Sequence, residues 1–254
     1  MSNWLERTEL LVGAENIEKL KSANVLLVGL GGVGSYAGEF LCRAGIGRMT
    51  IIDGDIVDIT NTNRQLPATH ATVGQGKAEL MGARMRDINP ELELTVLKEF
   101  LQPERMAELV GGGNFDYVLD CIDSLQPKLQ LIIACRESEV KIISSMGAGG
   151  RMDATRVRVV DINKSHTCPF AHHVRRGLKR LGYRNFKGMP VVFSDEPVAE
   201  HALRMTDGTN FKKSFYGTIS YIPALFGLQM AGYVIQALVQ KEVEKEPDEA
   251  NKIS

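Results

Sequence analysis

Hydrophobic and polar positions follow two alternating patterns along the first half of the chain. Short, mostly apolar runs such as residues 24–28 and 117–119 are typical of strands buried on both faces of a sheet. Longer segments between them carry apolar residues three and four positions apart, which is helical spacing. Strands that alternate with helices in this way predict an α/β fold with a Rossmann-like, doubly wound, mostly parallel sheet.

The same pattern places the individual elements. Strands are expected near residues 24–28, 49–52, 92–96, 117–119, 140–145 and 156–160. Helices are expected near residues 15–21, 76–88 and 170–181, after the glycine-rich turn at 29–35, and from about residue 124. The segment from about 186 to 213 has no regular pattern, so we expect it to be irregular.

The last apolar stretch invites comparison with a membrane span. Residues 214–240 contain no charged side chain and are long enough to cross a bilayer. However, Ser220, Pro223, Gln229 and Gln236 interrupt the run, and no strongly basic flank fixes an orientation. We therefore expect a long, buried C-terminal helix at a subunit interface, followed by a charged, frayed tail at 241–254.

Length and composition narrow the picture further. A chain of 254 residues with 44% hydrophobic content predicts a single domain over 1–254, with a basic, irregular substrate-binding insertion at about 161–213. The formal net charge of −1 predicts no strong general attraction to nucleic acid or membrane. The N-terminus shows no secretion signal and the four cysteines are scattered, so we expect a cytoplasmic protein.

A glycine-rich turn after the first strand is the first sign of ligand chemistry. Gly29, Gly31, Gly32 and Gly34 lie between strand and helix, where such a turn directs backbone N–H groups at a phosphate. Asp53 ends the second strand, about 20 residues later, where an acid accepts hydrogen bonds from ribose hydroxyls. NAD and ATP fit these features equally well.

A second motif favours ATP over NAD. Residues 61–65 read Asn-Thr-Asn-Arg-Gln, Lys77 lies on the next predicted helix, and Asp123 follows the third buried strand. A fixed arginine, a lysine and a metal-binding carboxylate are what a triphosphate needs. An NAD oxidoreductase would leave residues 61–65 without a role.

Together, these residues resemble the ATP-binding set of the adenylating superfamily that includes ubiquitin-activating enzymes and bacterial activators of sulfur-carrier proteins. The resemblance implies that Arg64 and Lys77 contact phosphates and that Asn61 helps to fix their geometry. It also implies that Asp53 holds the ribose and that Asp123 carries Mg²⁺.

The resemblance extends to the N-terminus. The segment 7–11 is similar to the family segment whose arginine reaches into the ATP site of the partner subunit, which implies a homodimer with Arg7 in a shared site. Simpler roles compete with these assignments. The glycines could serve strand-to-helix packing, Asp123 could cap the helix that begins near Ser124, and Lys77 and Arg7 could be solvated.

Zinc is not expected. Many sulfur-carrier activators bind zinc through two paired cysteine motifs, whereas here Cys168 begins such a motif and Ala171 ends it. The sequence contains no second pair, so four zinc ligands of this kind cannot be assembled.

A basic segment occupies the position of the zinc module. No acid lies between Asp161 and Asp195, and the predicted helix within this segment has one apolar face. Five basic residues are candidates for RNA contact: Arg175, Arg176, Lys179, Arg180 and Arg184. A solvated helix face explains the same pattern, and no DNA partner is expected.

The segments 7–13, 60–65, 123–124, 147–150 and 192–197 together are similar to the tRNA threonylcarbamoyladenosine dehydratase family, over nearly the whole chain. That resemblance implies ATP-dependent cyclisation of the threonylcarbamoyl group on the adenosine next to the tRNA anticodon, through adenylation of its carboxylate. The alternative is an activator of the C-terminal glycine of a ubiquitin-like sulfur carrier. A nucleotide-dependent scaffold is a third class, and a sulfur-relay protein is a candidate partner.

Overall fold

The structure is a computed structural model that describes residues 3–205 and 214–239. The strands in these residues are β1 (Asn24–Val28), β2 (Arg48–Ile52), β3 (Glu93–Leu97), β4 (Tyr117–Asp120), β5 (Ile142–Ser145), β6 (Val157–Asp161), β7 (Pro190–Ser194), β8 (Leu203–Met205) and β9 (Ser214–Tyr216). The first seven form one sheet in the order β3-β2-β1-β4-β5-β7-β6, which is parallel except that β6 runs antiparallel to β7. The predicted α/β fold with a mostly parallel sheet is confirmed.

Helices cover both faces of this sheet. They are α1 (Glu6–Val12), α2 (Ala14–Ser22), α3 (Gly34–Arg43), α4 (Lys77–Ile88), α5 (Pro103–Gly112), α6 (Leu125–Glu137), α7 (Pro169–Arg180) and α8 (Tyr221–Val239). One apolar core lies under α2, α3, α4 and α8, and the other lies under α5, α6 and α7. Strand β1 contributes Val25 and Leu27 to the first core and Leu26 and Val28 to the second, which explains why it is apolar on both faces.

The order of the strands reverses between β1 and β4. The chain runs from β1 outward to β2 and β3, then returns to form β4 on the other side of β1. Connections that leave neighbouring strands in opposite directions open a crevice at the carboxyl edge of a parallel sheet. The best place for a ligand is therefore the edge where β1 and β4 end.

A buried carboxylate ties α3 to α4 behind this edge. Glu39 is 6% exposed, and it accepts hydrogen bonds from Arg84 Nε at 2.7 Å and from Arg43 Nε at 2.8 Å. Burial raises the pKa of Glu39, but the hydrogen bonds from Arg84 and Arg43 outweigh burial and hold this pKa below its usual value. The link keeps the helix that follows the glycine turn fixed against the helix that begins with Lys77.

Helix α8 is the predicted apolar C-terminal helix, although it begins at Tyr221 rather than near residue 214. It is long and apolar enough to cross a membrane by length and composition. One face of α8 packs closely against the start of α3 in the core, because a Cβ atom at Gly227 would lie only 2.3 Å from the Val33 carbonyl oxygen. The other face exposes Leu228 and Tyr233.

The structure differs from the sequence prediction in several elements. Residues 186–213 are not irregular throughout, because β7 lies there, buried along its whole length between β5 and β6. Helices α1 and α5 and the antiparallel pair of β8 and β9 were not predicted either. Residues 206–213 and the predicted tail at 241–254 lie outside the described residues.

Candidate functional site

The glycine turn sits at the carboxyl end of β1, against the end of β4. Gly29 has a φ of +91°, and a Cβ atom there would lie 2.9 Å from the carbonyl oxygen of Cys121. A Cβ atom at Gly34 would lie 1.8 Å from the carbonyl oxygen of Gly29. The backbone geometry of the turn itself therefore requires glycine at these two positions.

The other two glycines have more space. A Cβ atom at Gly31 would meet Gln65 Nε2 at 3.7 Å, an ordinary contact distance. At Gly32 it would lie 3.0 Å from Pro223 Cβ and 3.5 Å from Arg64 Cγ. Gly31 and Gly32 thus face the Asn-Thr-Asn-Arg-Gln segment, and the first turn of α3 supplies N–H groups to an anion placed there.

Asp53 joins the turn to the end of β2. Its Oδ2 accepts a hydrogen bond from the Leu30 N–H at 2.6 Å, and its Oδ1 accepts one from the Asp55 N–H at 2.8 Å. Burial raises the pKa of the Asp53 carboxyl, and these two hydrogen bonds act in the opposite direction. Each carboxylate oxygen can accept a second hydrogen bond, so ribose binding is compatible with this role in the turn.

Arg64 follows a short 3₁₀ turn at Ile59–Asn61. The Oδ1 atom of Asn61 closes this turn by accepting a hydrogen bond from the Asp58 N–H at 3.2 Å. Arg64 donates to the Thr60 carbonyl oxygen and to Asn63 Oδ1, both at 2.9 Å. Burial lowers the pKa of Arg64, and the negative charge of Asp123 partly offsets this effect. The guanidinium group and the Asp123 carboxylate therefore belong to one site.

Lys77 begins α4 and is 5% exposed, so it is not an ordinary solvated helix residue. Its Nζ atom donates to Asp55 Oδ2 at 2.9 Å, and its backbone N–H donates to the Asp55 carbonyl oxygen. Asp55 was not singled out from the sequence. The Asp53-Gly54-Asp55 spacing was its one local signal, because both acids follow the same strand.

Asp123 lies three residues beyond the buried Asp120 and is exposed. The N-cap residue of α6 is Ser124, and Ser124 Oγ donates to Asp123 Oδ1 at 3.4 Å. In the described part of the chain, no group of three or more His, Cys, Asp or Glu side chains could hold a metal ion. One exposed carboxylate nevertheless suits Mg²⁺, which proteins commonly hold through one or two carboxylates together with phosphate oxygens. The absence of structural zinc stays a prediction.

Arg7 lies apart from these residues. It is exposed on α1, a helix without a buried residue, and Leu10 and Leu11 on the same helix are 82% and 85% exposed. The structure brings together the glycine turn, Asp53, Arg64 and Asp123, with Lys77 close to Asp53, but it does not bring Arg7 to them.

The five basic candidates lie on α7 or shortly after it, and they line two separate clefts. Arg175, Lys179 and Arg184 line a cleft of about 350 Å³, together with Asn163, Tyr183 and other residues. Arg176 and Arg180 line a separate cleft of about 370 Å³ between α6 and α7. Val174 and Leu178 on the predicted apolar face of α7 are buried, as expected, whereas Leu181 is 47% exposed.

Comparison with known proteins agrees with this geometry. The ThiF family matches residues 5–253. The tRNA threonylcarbamoyladenosine dehydratase of Bacillus subtilis is 41% identical over 96% of this chain and 97% of its own length. The chain therefore belongs to the tRNA threonylcarbamoyladenosine dehydratase group of the ThiF family.

Two further relatives differ in how much of this chain they match. The Escherichia coli tRNA N6-threonylcarbamoyladenosine dehydratase in complex with ATP superposes with a TM-score of 0.83 at 36% identity, covering 92% of this chain and 93% of that one. The molybdopterin-synthase adenylyltransferase of Salmonella typhimurium is 38% identical, over 61% of this chain and 60% of its own length. The similarity to the dehydratases is thus the more complete of the two.

The geometry of the turn separates two glycine substitutions. Gly34→Ala should lower the free energy of unfolding by about 3 kcal/mol, because its Cβ atom cannot coexist with the Gly29 carbonyl oxygen. Gly31→Ala is the matched control and should change it by less than about 0.5 kcal/mol, since its Cβ atom has room. Urea unfolding measures both values, and equal losses would contradict the different roles given to the two glycines.

Proposed function

We propose that this chain is an ATP-dependent tRNA threonylcarbamoyladenosine dehydratase. The observation that carries the proposal is the convergence of the glycine turn, Arg64 and Asp123 at the carboxyl edge of the sheet, in a chain that matches dehydratases over nearly its whole length. A solved dehydratase of Escherichia coli, similar to this chain over 92% of its length, binds ATP. The substrate is the carboxylate of the threonylcarbamoyl group on the adenosine next to the anticodon.

The first step is adenylation. A carboxylate oxygen of the substrate attacks the α-phosphorus of ATP, an O–P bond forms, and the bond to pyrophosphate breaks. Negative charge grows on the departing phosphates, so fixed cations are the catalytic requirement. Arg64 and Lys77 meet that requirement, the glycine turn holds phosphate oxygens, and Asp53 holds the ribose.

Asp123 is the residue that would hold Mg²⁺ at this site. When bound, the ion neutralises charge on the phosphates. The Arg64 side chain, kept near Asp123 by its hydrogen bonds to Thr60 and Asn63, supplies a second positive charge from the protein itself.

The second step is ring closure. A nucleophilic atom of the same threonylcarbamoyl side chain attacks the activated carbonyl carbon, and AMP leaves with one of the carboxylate oxygens. The nucleophile loses a proton, so the tRNA loses one water overall while ATP becomes AMP and pyrophosphate. Because the nucleophile is intramolecular, no protein thiol is needed.

The surroundings of the cysteines are consistent with a reaction that needs no protein thiol. Cys42, Cys135 and Cys168 are buried, and burial raises the pKa of Cys42 to about 11 and that of Cys135 further. Burial also raises the pKa of Cys121. A buried thiol with a raised pKa is a poor nucleophile.

Activation of a sulfur-carrier protein is the alternative function, since a molybdopterin-synthase adenylyltransferase matches much of the chain.

Mass spectrometry of the digested tRNA tests the reaction. With ATP, Mg²⁺ and tRNA that carries threonylcarbamoyladenosine, the wild-type protein should yield a nucleoside lighter by one water. Arg64→Ala and Asp123→Ala should each slow its formation by about 100-fold or more, because Arg64 neutralises charge on the phosphates directly and Asp123 would do so through Mg²⁺. Arg48→Ala, at the opposite edge of the sheet, is the matched control and should react normally.

The result that sinks the dehydratase assignment is an unchanged nucleoside with folded wild-type protein and verified substrates. Pyrophosphate exchange that depends on a carrier protein ending in Gly-Gly would then favour the alternative.

We propose further that the tRNA binds along the basic segment. Residues 162–194 contain seven Lys and Arg residues and no acid, although the whole chain has a formal net charge of −1. Arg175 is half-buried and is held in its cleft by hydrogen bonds to Ser165 and to the Ile162 carbonyl oxygen. A fixed arginine beside the exposed Lys179 and Arg184 suits contact with a phosphate backbone, and a face that is only solvated would not need to fix Arg175.

Charge reversal tests this surface. Lys179→Glu combined with Arg184→Glu should weaken tRNA binding at least tenfold at moderate salt and reduce its salt dependence, because phosphate contacts are lost. ATP affinity should stay the same. Arg48→Glu reverses a charge outside both clefts and serves as the control. Filter binding over a range of salt concentrations measures the effect, and equal losses in the variant and the control would contradict it.

A homodimer with shared sites is also proposed. Leu10 and Leu11 on α1 and Leu228 on α8 are exposed apolar residues that a second copy would cover. Arg7 lies on the same helix as Leu10 and Leu11, so docking of α1 would carry it into the partner's ATP site. We place the enzyme in the cytoplasm with its tRNA; the sulfur-relay partner stays a prediction.

Subunit mixing tests the shared site. Arg7→Ala and Asp123→Ala should each be nearly inactive alone. Mixing them under conditions of subunit exchange should restore about a quarter of wild-type activity, because half of the dimers then carry one site with both wild-type residues. If mixed tags verify the exchange and no activity returns, Arg7 does not complete the partner's site, and the shared site is contradicted.

A further inference from the structure

A fully buried ion pair lies beneath the loop that carries Asp123, and the proposed reaction does not use it. Lys128 of α6 and Asp120 of β4 are both 0% exposed, and Lys128 Nζ is 2.7 Å from Asp120 Oδ2. Ser144 of β5 donates to the same Oδ2 at 2.6 Å and accepts from Lys128 Nζ at 3.1 Å. The Phe170 ring lies 5.7 Å from Nζ and covers the ammonium group.

Stability alone gives a weak reason for this arrangement. Removing two charges from water is costly, and well-packed apolar replacements of buried ion pairs are often neutral or stabilising. Each of the hydrogen bonds within the group also restricts the Asp120 carboxylate to one orientation. The orientation of that carboxylate is therefore the property to explain.

The other oxygen of Asp120 points at the loop. Asp120 Oδ1 accepts a hydrogen bond from the Ile122 N–H at 3.1 Å, while the Cys121 N–H donates to the Val28 carbonyl oxygen at 2.9 Å. Two successive peptide groups are thus fixed immediately before Asp123. An ionised acceptor makes the bond to Ile122 stronger than a neutral one would.

We propose that Lys128, Asp120 and Ser144 form a positioning group that sets the place of the Asp123 carboxylate in the ATP site. Lys128 and Ser144 hold Asp120, Asp120 holds the Ile122 peptide, and that peptide fixes the direction in which the chain presents Asp123. None of the three residues touches the substrate. The inference rests on the proposed function, since that function gives Asp123 its role.

Two double variants separate positioning from stability. Asp120→Asn with Lys128→Met and Asp120→Leu with Lys128→Met both remove the two charges, so neither leaves an unpaired buried charge. The asparagine keeps an oxygen for the Ile122 N–H and turns its amide group to Ser144, whereas leucine offers no acceptor. We expect the leucine variant to have a kcat at least tenfold below that of the asparagine variant, with the same KM for tRNA. Equal kcat values in the two variants, at any level, overturn the proposal.

Nucleotide binding gives a readout that does not need turnover. Calorimetry should show at least tenfold weaker binding of ATP with Mg²⁺ to the leucine variant than to the asparagine variant, and equal binding of ATP without metal. If the wild-type protein forms no cyclised tRNA, the proposed function fails while this comparison still tests the positioning group. Equal affinity of the two variants for ATP with Mg²⁺ overturns it.

Hydrogen exchange in the wild-type protein covers the case in which the leucine variant does not fold. The Ile122 amide should exchange as slowly as the amides of β4, because Asp120 holds it. Exchange at the rate of an unprotected loop amide overturns the proposal.

Discussion

The close contact between the glycine turn and the backbone after β4 is the constraint on which the site depends. Gly34 lies against the carbonyl oxygen of Gly29, and Gly29 lies against that of Cys121, so a side chain at either position would separate the two strand ends. Asp53 adds the end of β2 through its hydrogen bond from the Leu30 N–H. Groups from three strands therefore act as one rigid unit, and a phosphate would meet them without rearrangement of the backbone.

The two cations of the site are held in different ways, which affects how each can meet an anion. Arg64 has neutral partners, the Thr60 carbonyl oxygen and Asn63 Oδ1, so its charge is not neutralised by these contacts. Lys77 is buried and donates to the Asp55 carboxylate. An ammonium group has three donors, so Lys77 can retain Asp55 and still reach an oxygen of the ligand. Asp55 would then orient Lys77 and would also neutralise part of the positive charge of Lys77.

Local signals in the sequence predicted the part of the fold that local interactions determine. The apolar run of β1, the glycines after it and the start of α4 at Lys77 can each be read from neighbouring residues. Strand β7 could not be read in this way, because it begins with Pro190 and gains its regularity from pairing with β5 and β6.

Burial of charged residues was also outside the reach of the sequence. Lys128 follows a proline in a helix and resembles a surface residue, and its burial depends on Asp120 and Ser144 from two separate strands. Lys77 depends in the same way on Asp55, which is 22 positions away. Residue types and spacing predicted the groups that are proposed to contact a ligand, whereas the groups that hold them in place come from distant parts of the chain.

The order of the strands also bears on how two polyanions can meet on a chain of almost neutral charge. The glycine turn, Asp53 and Asp123 lie at the carboxyl edge of the sheet, whereas the proposed RNA-contacting segment leaves β6 and enters β7 at the opposite edge, because β6 runs antiparallel to β7. Helix α7 spans the distance between the two edges, since Cys168 and Phe170 near its start lie close to Gly147, which follows β5. Bound along α7, the tRNA would bring its carboxylate to the α-phosphate at the carboxyl edge, and most of its negative charge would stay away from ATP. Misplacement of Asp123 would therefore weaken the binding of ATP with Mg²⁺ and slow the reaction at the α-phosphate, while the binding of tRNA along α7 would stay the same.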